Sequence, residues 1–479
     1  MSIEEILKLS SSFNEKDTEL IKTNGVVFTD QIICNNIIDK LNPTINDIVC
    51  EPSVGKGAFV FSLLEKFRNN GETILDITNF VENNLYCYDI NMDFINEFKK
   101  LLREYFIELG YNEDLDLYNI RCADFLIENL NYDIIMGNPP YVRIQNMDKN
   151  YLDLLKKDLK SITLGNIDLY YAFIEKSLKV SKRVGFIIPN SFIKTKSGKF
   201  IRQIIKENIS YLYDYGLEKV WQDISTYTCI LICGDKCDDL IYETNKGIIQ
   251  KNKTELSDDI WLFGEKNSGD KILSELINYC SGSIATIKDD VFKIDTGFLK
   301  KGFKIEQGIC KKVIKATRDR EISDHKWIIY PYDMNSKILD ENFIKTEYPN
   351  AYTYLLSRKD DLNTRDKGKV DKYDSWFSYG RRQGLLKERD GKRIMLPLTF
   401  LKSRGIHIIE IPLNEEVINI SGILLDIKED KFDEFIDAIN SEDFYNYCEQ
   451  NNKTLLDKAN SDDVWLSLTT TSLKQFKIK

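Results

Sequence analysis

The chain has 479 residues, a formal net charge of −10 at pH 7, ten cysteines and two histidines. This length predicts two or three domains with ample core, and no apolar run reaches the length of a membrane span. The scattered cysteines and the scarcity of histidine argue against a disulfide scaffold and against His-based metal or nucleophilic chemistry, so we expect a cytoplasmic protein with reduced thiols and no metal site. The first residues, Met1 to Leu7, predict the start of an amphipathic helix rather than a signal peptide.

The first predicted unit is a strand, a loop of small residues and a helix. The run Ile48 to Val60 predicts the strand, the loop and the start of the helix, which extends over about Ala58 to Arg68. Gly55 and Gly57 let the loop approach a ligand closely, and the helix directs its N-terminal dipole at the loop. The loop is not a Walker A motif, because Gly57 stands where Ser or Thr is needed, and it lacks the third glycine of the dinucleotide fingerprint. A glycine pair kept for packing alone is the alternative.

Two acidic residues follow at the ends of predicted strands. The run Leu85 to Asn91 contains Asp89, which can accept both hydroxyls of a ribose. Its alternative role is the N-cap of a helix that starts near Met92. The run Arg121 to Leu126 contains Asp124 and Phe125, which suit the amine and the ring of an adenine. A loop acid beside a core phenylalanine is the alternative for that pair.

The most informative segment is Asn138-Pro139-Pro140-Tyr141, which follows the apolar run Tyr132 to Met136 and Gly137. This pattern predicts a buried parallel strand that ends at a turn. The two prolines stiffen the backbone and lack N–H groups, so their carbonyls are left to accept hydrogen bonds. Carbonyl and amide oxygens beside the Tyr141 ring suit a planar group that carries an amine, such as adenine. The alternative is a rigid strand-ending turn with Tyr141 half-buried.

In this order and spacing, these segments resemble S-adenosylmethionine-dependent amino-methyltransferases, and most closely the TaqI-like group of N6-adenine DNA methyltransferases. The resemblance covers about the first 235 residues and includes Val27-Phe28-Thr29, Gly165 to Phe173 and Val184 to Asn190. Asn138-Pro139-Pro140-Tyr141 matches the catalytic tetrapeptide of the group without change. One departure is Lys56 between the loop glycines, where small or polar residues are common.

The resemblance implies a fold, a cofactor and a set of site residues. The fold is an α/β class I methyltransferase domain with a doubly wound, mostly parallel sheet over residues 1–240, followed by a mixed α+β target-recognition domain over residues 241–479, with the boundary between 235 and 270. The implied catalytic residues are Asn138, Pro139 and Tyr141. The implied contacts of the cofactor S-adenosyl-L-methionine are Thr29, Glu51, Ser53, Gly55, Gly57, Asp89, Ile90, Asp124, Phe125 and Asn138.

The implied reaction is methyl transfer to N6 of an adenine that has left a DNA duplex. Tyr141 would stack on this base. The segment Gly216 to Asp223 resembles the family loop with a second aromatic contact, which here is Trp221; a core tryptophan is the alternative. Double-stranded DNA is therefore the expected partner, in restriction-modification or epigenetic marking, and a separate cognate restriction endonuclease is a candidate partner.

The second half of the chain contains a basic segment, although the net charge of the whole chain is negative. For DNA binding, the local distribution of charge matters more than the net charge. From Arg365 to Arg404 there are twelve basic residues and five acids, with aromatic residues between them. Trp327 to Asp333 and Trp376 to Leu385 also resemble parts of the recognition domain. A solvated lysine-rich face is the alternative. The predicted DNA-binding residues are Arg381, Arg382, Gln383, Lys387, Arg389, Lys392 and Arg393.

Other functions stay open at this point. Asn-Pro-Pro-Tyr also occurs in methyltransferases that act on glutamine of release factors or on guanine of ribosomal RNA, which are usually shorter and lack a large C-terminal domain of this kind. A fused restriction-modification enzyme would need a nuclease motif, and none is recognised. A non-catalytic DNA-binding subunit is the alternative from a different class, and the intact tetrapeptide argues against it.

Overall fold

The computed structural model describes residues 1–12, 29–163, 167–216, 218, 220–221, 226–234, 237–257, 261, 263, 271–295, 297–368, 370–371, 373–451, 454–455 and 465–478. The chain divides into two compact units, Met1–Phe263 and Gly264–Lys479. In the described part, no helix is long and apolar enough to cross a membrane. The same residues contain no cluster of His, Cys, Asp and Glu side chains able to hold a metal ion.

The first unit alternates strands and helices. Its helices are α1 (Ile3–Ser10), α2 (Gln31–Leu41), α3 (Ala58–Asn69), α4 (Ile74–Asn83), α5 (Met92–Glu108), α6 (Lys149–Leu155), α7 (Tyr170–Val180) and α8 (Lys199–Lys206). Its strands are β1 (Val49–Glu51), β2 (Leu85–Asp89), β3 (Ile120–Cys122), β4 (Tyr132–Gly137), β5 (Ser181–Pro189), β6 (Ile209–Asp214), β7 (Thr228–Cys233), β8 (Asp239–Thr244) and β9 (Gly247–Asn252).

Within the described residues, these strands form one sheet in the order β3-β2-β1-β4-β5-β7-β6-β8-β9. Within the group β1 to β5, every pair of neighbouring strands is parallel. Strand β7 runs antiparallel to both of its neighbours, β5 and β6. The strand order reverses between β1 and β4, and such a switch point is where open α/β sheets bind ligands, at the carboxyl ends of the strands.

Both faces of the sheet are buried, as the apolar strand sequences require. In β4, Ile134 and Met136 belong to one hydrophobic core, and Ile135, which points to the opposite face, belongs to the other. The alternation follows from the two-residue period of a strand. Helices α2, α3 and α5 supply the first core, and α7 and α8 contribute to the second.

The first unit extends beyond the predicted limit at residue 240. Strands β8 and β9 pair antiparallel and continue the sheet, with β8 parallel to β6. Trp261 is fully buried, and its ring lies 6.2 Å from that of Phe192. The region predicted to hold the domain boundary, residues 235–270, therefore contains the edge strand β9, in which four of the six residues are exposed.

The second unit is mixed α+β. Its strands are β10 (Lys271–Ile272), β11 (Ile277–Ser281), β12 (Lys293–Asp295), β13 (Leu299–Lys300), β14 (Phe303–Lys304), β15 (Cys310–Lys315), β16 (Lys326–Ile329), β17 (Lys392–Leu396), β18 (Thr399–Leu401), β19 (Ile409–Ile411), β20 (Val417–Ser421), β21 (Ile423–Ile427), β22 (Thr454–Leu455), β23 (Trp465–Ser467) and β24 (Lys477–Ile478). Its helices are α9 (Asp289–Phe292), α10 (Glu341–Glu347), α11 (Pro349–Ser357), α12 (Lys359–Asn363), α13 (Phe432–Asn440), α14 (Glu442–Asn451) and α15 (Thr470–Gln475).

Among the described strands of this unit, the two larger sheets have the orders β11-β21-β17-β19 and β12-β16-β15-β20. The predicted fold class, a mostly parallel doubly wound sheet followed by a mixed α+β region, is thus confirmed.

Candidate active site

The carboxyl ends of three neighbouring strands meet at one cavity in the first unit. Glu51 ends β1, Asp89 ends β2, and Asn138 follows β4. The cavity has a volume of about 330 Å³, within the usual range for a small-molecule site. Every residue predicted to contact the cofactor, except Gly57, lines it: Thr29, Glu51, Ser53, Gly55, Asp89, Ile90, Asp124, Phe125 and Asn138.

The two loop glycines have different tasks. Gly55 has a φ of +52° and donates its N–H to Asp89 Oδ2 at 3.0 Å, which joins the loop to the end of β2. Gly57 has a φ of +88° and precedes α3, and a Cβ at this position would lie 2.3 Å from the Phe98 ring. Glycine at position 57 is therefore required by the turn and by the packing of α3 on α5, and its predicted contact with the cofactor stays a prediction.

Glu51 is a buried carboxyl group at the wall of the cavity, with 2% of its surface exposed. Burial raises the pKa of Glu51 well above its usual range, and the nearby Asp89 carboxylate raises it further. Its Oε2 is buried without a hydrogen-bond partner in the described structure. A buried acceptor of this kind is costly unless a ligand supplies a donor.

Asp89 is held by main-chain donors rather than by a helix. It accepts from Gly55 N–H and, through Oδ1, from Asn91 N–H at 2.9 Å. The N-cap of α5 is Asn91, whose side chain accepts from Asp93 N–H at 2.9 Å, so the capping role considered for Asp89 belongs to its neighbour. Burial raises the pKa of Asp89.

The pair Asp124 and Phe125 lies beside a residue that sequence reasoning missed. Asp124 accepts from Leu126 N–H at 2.9 Å and from the hydroxyl of Tyr151 at 2.7 Å. Phe125 stacks on Phe173, with ring centroids 5.8 Å apart and an interplanar angle of 24°. Tyr151, on α6, also lines the cavity. No local pattern marks it, because its contact with Asp124 spans 27 residues.

The departure from the family pattern, Lys56, is buried. Its exposed fraction is 3%, and its Nζ lies 3.7 Å from Glu97 and 3.5 Å from the carbonyl oxygen of Ser12. Lys56 therefore ties the loop to α5 and to the end of the N-terminal helix, and it lines the cavity as well.

The tetrapeptide is anchored at both ends. Asn138 Nδ2 donates to Thr29 Oγ1 at 3.1 Å, and its main-chain carbonyl accepts from Ser53 Oγ at 3.0 Å. Pro139 is buried, and Pro140 lines the cavity. Tyr141 donates its hydroxyl proton to the Ile187 carbonyl at 3.0 Å, and burial raises the pKa of this phenol well above its usual range. Tyr141 thus stays protonated and fixed.

Trp221 lies next to Tyr141, with ring centroids 6.5 Å apart and an interplanar angle of 64°. It is half-buried and also packs against the first hydrophobic core, so the core alternative holds in part. The start of its loop is held by Asp214, which accepts from Asn190 Nδ2 at 2.7 Å and from Gly216 N–H at 2.9 Å. The structure thus brings the two predicted stacking aromatics together.

Some residues of the family segments lie outside the described part of the structure. They are Val27, Phe28, Gly165, Asn166, Leu217, Lys219, Gln222 and Asp223, and in the basic segment Lys369 and Lys372.

In the second unit, Arg381, Arg382 and Gln383 are exposed, as predicted for a DNA surface. Arg381 pairs through its backbone with Ala285, and Arg382 forms an ion pair with Asp374. The flanking glycines are required by close packing. A Cβ on Gly380 would lie 2.2 Å from Ile287 Cδ1, and one on Gly384 would lie 2.5 Å from the carbonyl oxygen of Gly282.

Two of the predicted DNA-binding arginines serve the fold instead. Arg393, on β17, has 5% of its surface exposed and forms an ion pair of 3.0 Å with Asp426, which is fully buried. Arg389 is half-buried and donates to the carbonyls of Gly391, Pro412 and Ile411, each at 2.9 Å. Their predicted contact with DNA is corrected, because these guanidinium groups are engaged in internal hydrogen bonds.

The other basic residues differ in exposure. Lys387 is exposed, and its Nζ lies 5.6 Å from the centre of the Tyr279 ring. Lys392 is half-buried, with its Nζ 4.5 Å from the centre of the Phe432 ring. Arg365 is buried and donates to the carbonyls of Leu362 and Trp376 at 2.7 and 2.6 Å. A count of charges along the segment therefore overstates its basic surface.

Comparison with known proteins finds a family model that matches most of the first unit. Residues 7–221 match the profile of the Eco57I restriction-modification methylase family. The chain is 26% identical over 328 residues to the Type II restriction enzyme and methyltransferase RM.Eco57I of Escherichia coli, an alignment that covers 56% of this chain and 32% of that protein. It is 27% identical over 307 residues to the Type II methyltransferase M.HincII of Haemophilus influenzae, covering 59% and 54%. The chain thus spans about a third to a half of these relatives.

Solved structures share the fold. One is the Type IIL restriction-modification enzyme MmeI in complex with DNA, with a TM-score of 0.57 and 14% identity, covering 100% of this chain and 66% of that one. Another is the ATP-dependent Type ISP restriction-modification enzyme LlaBIII bound to DNA, with a TM-score of 0.52 and 14% identity, covering 88% and 35%. The predicted relation to restriction-modification methyltransferases is confirmed, and the finer placing in the TaqI-like group stays a prediction.

The buried ion pair gives a first test. Arg393→Leu should lower the free energy of unfolding by about 3–5 kcal/mol, because it leaves the Asp426 carboxylate buried and unpaired. The measurement is urea denaturation followed by tryptophan fluorescence. The double variant R393M/D426L should regain much of the loss, since it removes both charges.

Arg381→Ala is the matched control, because this arginine is exposed and should leave the unfolding midpoint unchanged. An Arg393→Leu protein as stable as the wild type, with weakened DNA binding, would return Arg393 to the DNA surface.

Proposed function

We propose that this chain, whose residues 7–221 match the Eco57I restriction-modification methylase family, is a site-specific DNA adenine methyltransferase. It transfers the methyl group of S-adenosyl-L-methionine to N6 of an adenine flipped out of duplex DNA. The observation that carries the proposal is the anchored tetrapeptide Asn138 to Tyr141 at the end of β4, beside a cavity lined by Glu51, Asp89 and Asp124.

The cavity fits S-adenosyl-L-methionine by its donor and acceptor chemistry. Asp89, at the end of β2, would accept the ribose hydroxyls, and Asp124 with Phe125 and Ile90 would hold the adenine. The cofactor carries an ammonium and a sulfonium, and the unpartnered buried Oε2 of Glu51 suits a cationic donor. When bound there, the cofactor supplies an electrophilic methyl group.

The chain's own residues would prepare the target amine. The lone pair of an adenine amine is delocalised into the ring, so the amine is a poor nucleophile. The Asn138 side-chain oxygen and the Pro139 carbonyl would each accept a hydrogen bond from one of the two amine protons. These hydrogen bonds would shift the amine nitrogen toward tetrahedral geometry and localise its lone pair. The bond from Asn138 Nδ2 to Thr29 sets the orientation of the amide. The contribution is positioning and fixed dipoles, so no general base is required.

Tyr141 and Trp221 would bind the extrahelical base. The fixed hydroxyl of Tyr141 holds its ring in place, and Trp221 supplies a second aromatic surface near it. Base–aromatic stacking is worth about 1–3 kcal/mol, which helps offset the free energy of removing the base from the duplex.

The exposed Arg381, Arg382 and Gln383 would contact the DNA from the second unit. Arginine recognises guanine with two parallel donors, and glutamine both donates to and accepts from adenine. The DNA-bound restriction-modification enzymes that share the fold support DNA as the partner. Marking of DNA in a restriction-modification system follows from this proposal, with a separate cognate endonuclease as a candidate partner.

The product test uses purified protein, cofactor and plasmid DNA. Mass spectrometry of the digested DNA should detect N6-methyladenine, and modification-sensitive sequencing should locate it in one short motif. Parallel reactions with ribosomal RNA and with release factor should give no methylation. Methylcytosine in the DNA, or methylated protein or RNA with unmodified DNA, would refute the proposal.

A second test separates cofactor binding from chemistry. Asn138→Ala should keep the affinity for S-adenosyl-L-methionine and lose nearly all turnover, because the removed group acts on the target amine. Asp89→Ala should weaken cofactor binding by about 1.5–3 kcal/mol, since it removes a half-buried carboxylate acceptor. Calorimetry with the cofactor and single-turnover methylation measure the two effects. A large loss of affinity in the first variant and none in the second would reverse the assignments.

A third test concerns the base-binding aromatics. Trp221→Ala should weaken binding of DNA that carries 2-aminopurine at the target position by about 1–3 kcal/mol and reduce its fluorescence increase. Trp221→Phe keeps a stacking surface and should retain most of both. If Trp221→Ala leaves the fluorescence signal unchanged while the melting temperature falls, Trp221 acts only in the core.

A further inference from the structure

Ile287 has an unusual backbone conformation for its residue type. Its φ is +60°, and it is the one β-branched residue with a positive φ in the part of the chain that the structure describes. A branched Cβ makes this conformation sterically unfavourable, so it persists only where the surroundings enforce it. Strain of this kind is concentrated at functional positions.

The surroundings of Ile287 do enforce it. On the N-terminal side, Ala285 exchanges two main-chain hydrogen bonds with Arg381, at 3.1 and 2.9 Å. The buried Thr286 accepts from Lys288 N–H at 3.2 Å through its hydroxyl. On the C-terminal side, the Lys288 carbonyl accepts from Val291 N–H at 3.0 Å, at the start of α9. Ile287 is thus fixed between two pinned neighbours.

Core packing does not explain the strain, because 39% of the Ile287 side chain is exposed. Its Cδ1 and Cγ1 lie over the Cα of Gly380, where a Cβ would be only 2.2 and 2.5 Å away. The residues that follow Gly380 in the sequence are the exposed Arg381, Arg382 and Gln383. A single exposed isoleucine is ordinary, but this one is strained and lies directly beside the predicted DNA-contacting residues.

We propose that Ile287 contacts the 5-methyl group of a thymine in the major groove and so helps determine the recognised sequence. An apolar side chain cannot form a hydrogen bond or an ion pair with a phosphate. The thymine methyl is the apolar group that the major groove presents. Arg381 and Gln383 supply the polar contacts with bases on the same surface. The inference rests on the proposed function, because it requires that the chain bind duplex DNA.

The test replaces each thymine of the recognised duplex by uracil, one position at a time. At one position the wild-type protein should lose affinity by about five- to tenfold, as expected for a lost base contact. Ile287→Asn should bind the unmodified duplex more weakly by a similar factor and should be insensitive to uracil at that position. Ile287→Leu, which keeps an apolar side chain, should retain the sensitivity. Leu413→Asn, at an 81% exposed leucine of the same unit, is the matched control and should bind like the wild type.

A stability measurement complements the binding data. Asparagine adopts a positive φ readily, so Ile287→Asn should have a melting temperature equal to or above that of the wild type. A fall in both melting temperature and affinity, with the uracil sensitivity kept, would overturn the inference, because Ile287 would then act only in the fold. Unchanged affinity in Ile287→Asn would overturn it as well. Methylation of DNA by the wild type is scored separately, so a failure of the proposed function remains distinguishable.

Discussion

The candidate site depends on the position of β1 between β2 and β4. Only three residues long, β1 pairs in parallel with both neighbours, which aligns the ends of all three strands. Two hydrogen bonds then join the loop after β1 to these ends, from Gly55 N–H to Asp89 and from Ser53 Oγ to the Asn138 carbonyl. The proposed cofactor loop and the proposed catalytic turn, which are far apart in sequence, are thereby held as one rigid piece. A shift of β1 by one residue would break both bonds at once.

The carboxyl groups Glu51 and Asp89 at the cavity are consistent with the cationic cofactor that we propose. Burial raises the pKa of both Glu51 and Asp89, and the nearby Asp89 carboxylate further disfavours ionisation of Glu51. A positively charged ligand reverses that penalty, because it favours the ionised form of its partners. Clustered acids at strand ends therefore bind a cation more strongly than a neutral analogue of the same shape.

Features determined by residues close together in the sequence could be predicted, whereas features determined by contacts between residues distant in the sequence could not. The strands, the glycine loop and the tetrapeptide were predicted because apolar runs, glycines and prolines act locally. Burial of charge was not predictable in the same way. Arg393 and Arg389 have the composition of a DNA surface, yet their guanidinium groups bind Asp426 and main-chain carbonyls far along the chain. Gly57 was assigned to the ligand, although its constraint is the ring of Phe98 on another helix. Tyr151 carried no signal, since α6 shows its role only once it folds against Asp124.

The hydrogen bond between Tyr151 and Asp124 lowers the net free energy that a ligand gains by donating a hydrogen bond to Asp124. The phenol hydroxyl occupies the carboxylate oxygen that an incoming donor would need. Any amine that binds there replaces an internal donor of similar strength, so its net gain is the difference between two hydrogen bonds rather than one whole bond. The phenol thus acts as an intramolecular competitor for the half-buried Asp124 carboxylate. Its local concentration is fixed by α6 and does not change with dilution. Selectivity at this position then arises from how well a donor outcompetes a tyrosine, not from how well it outcompetes water.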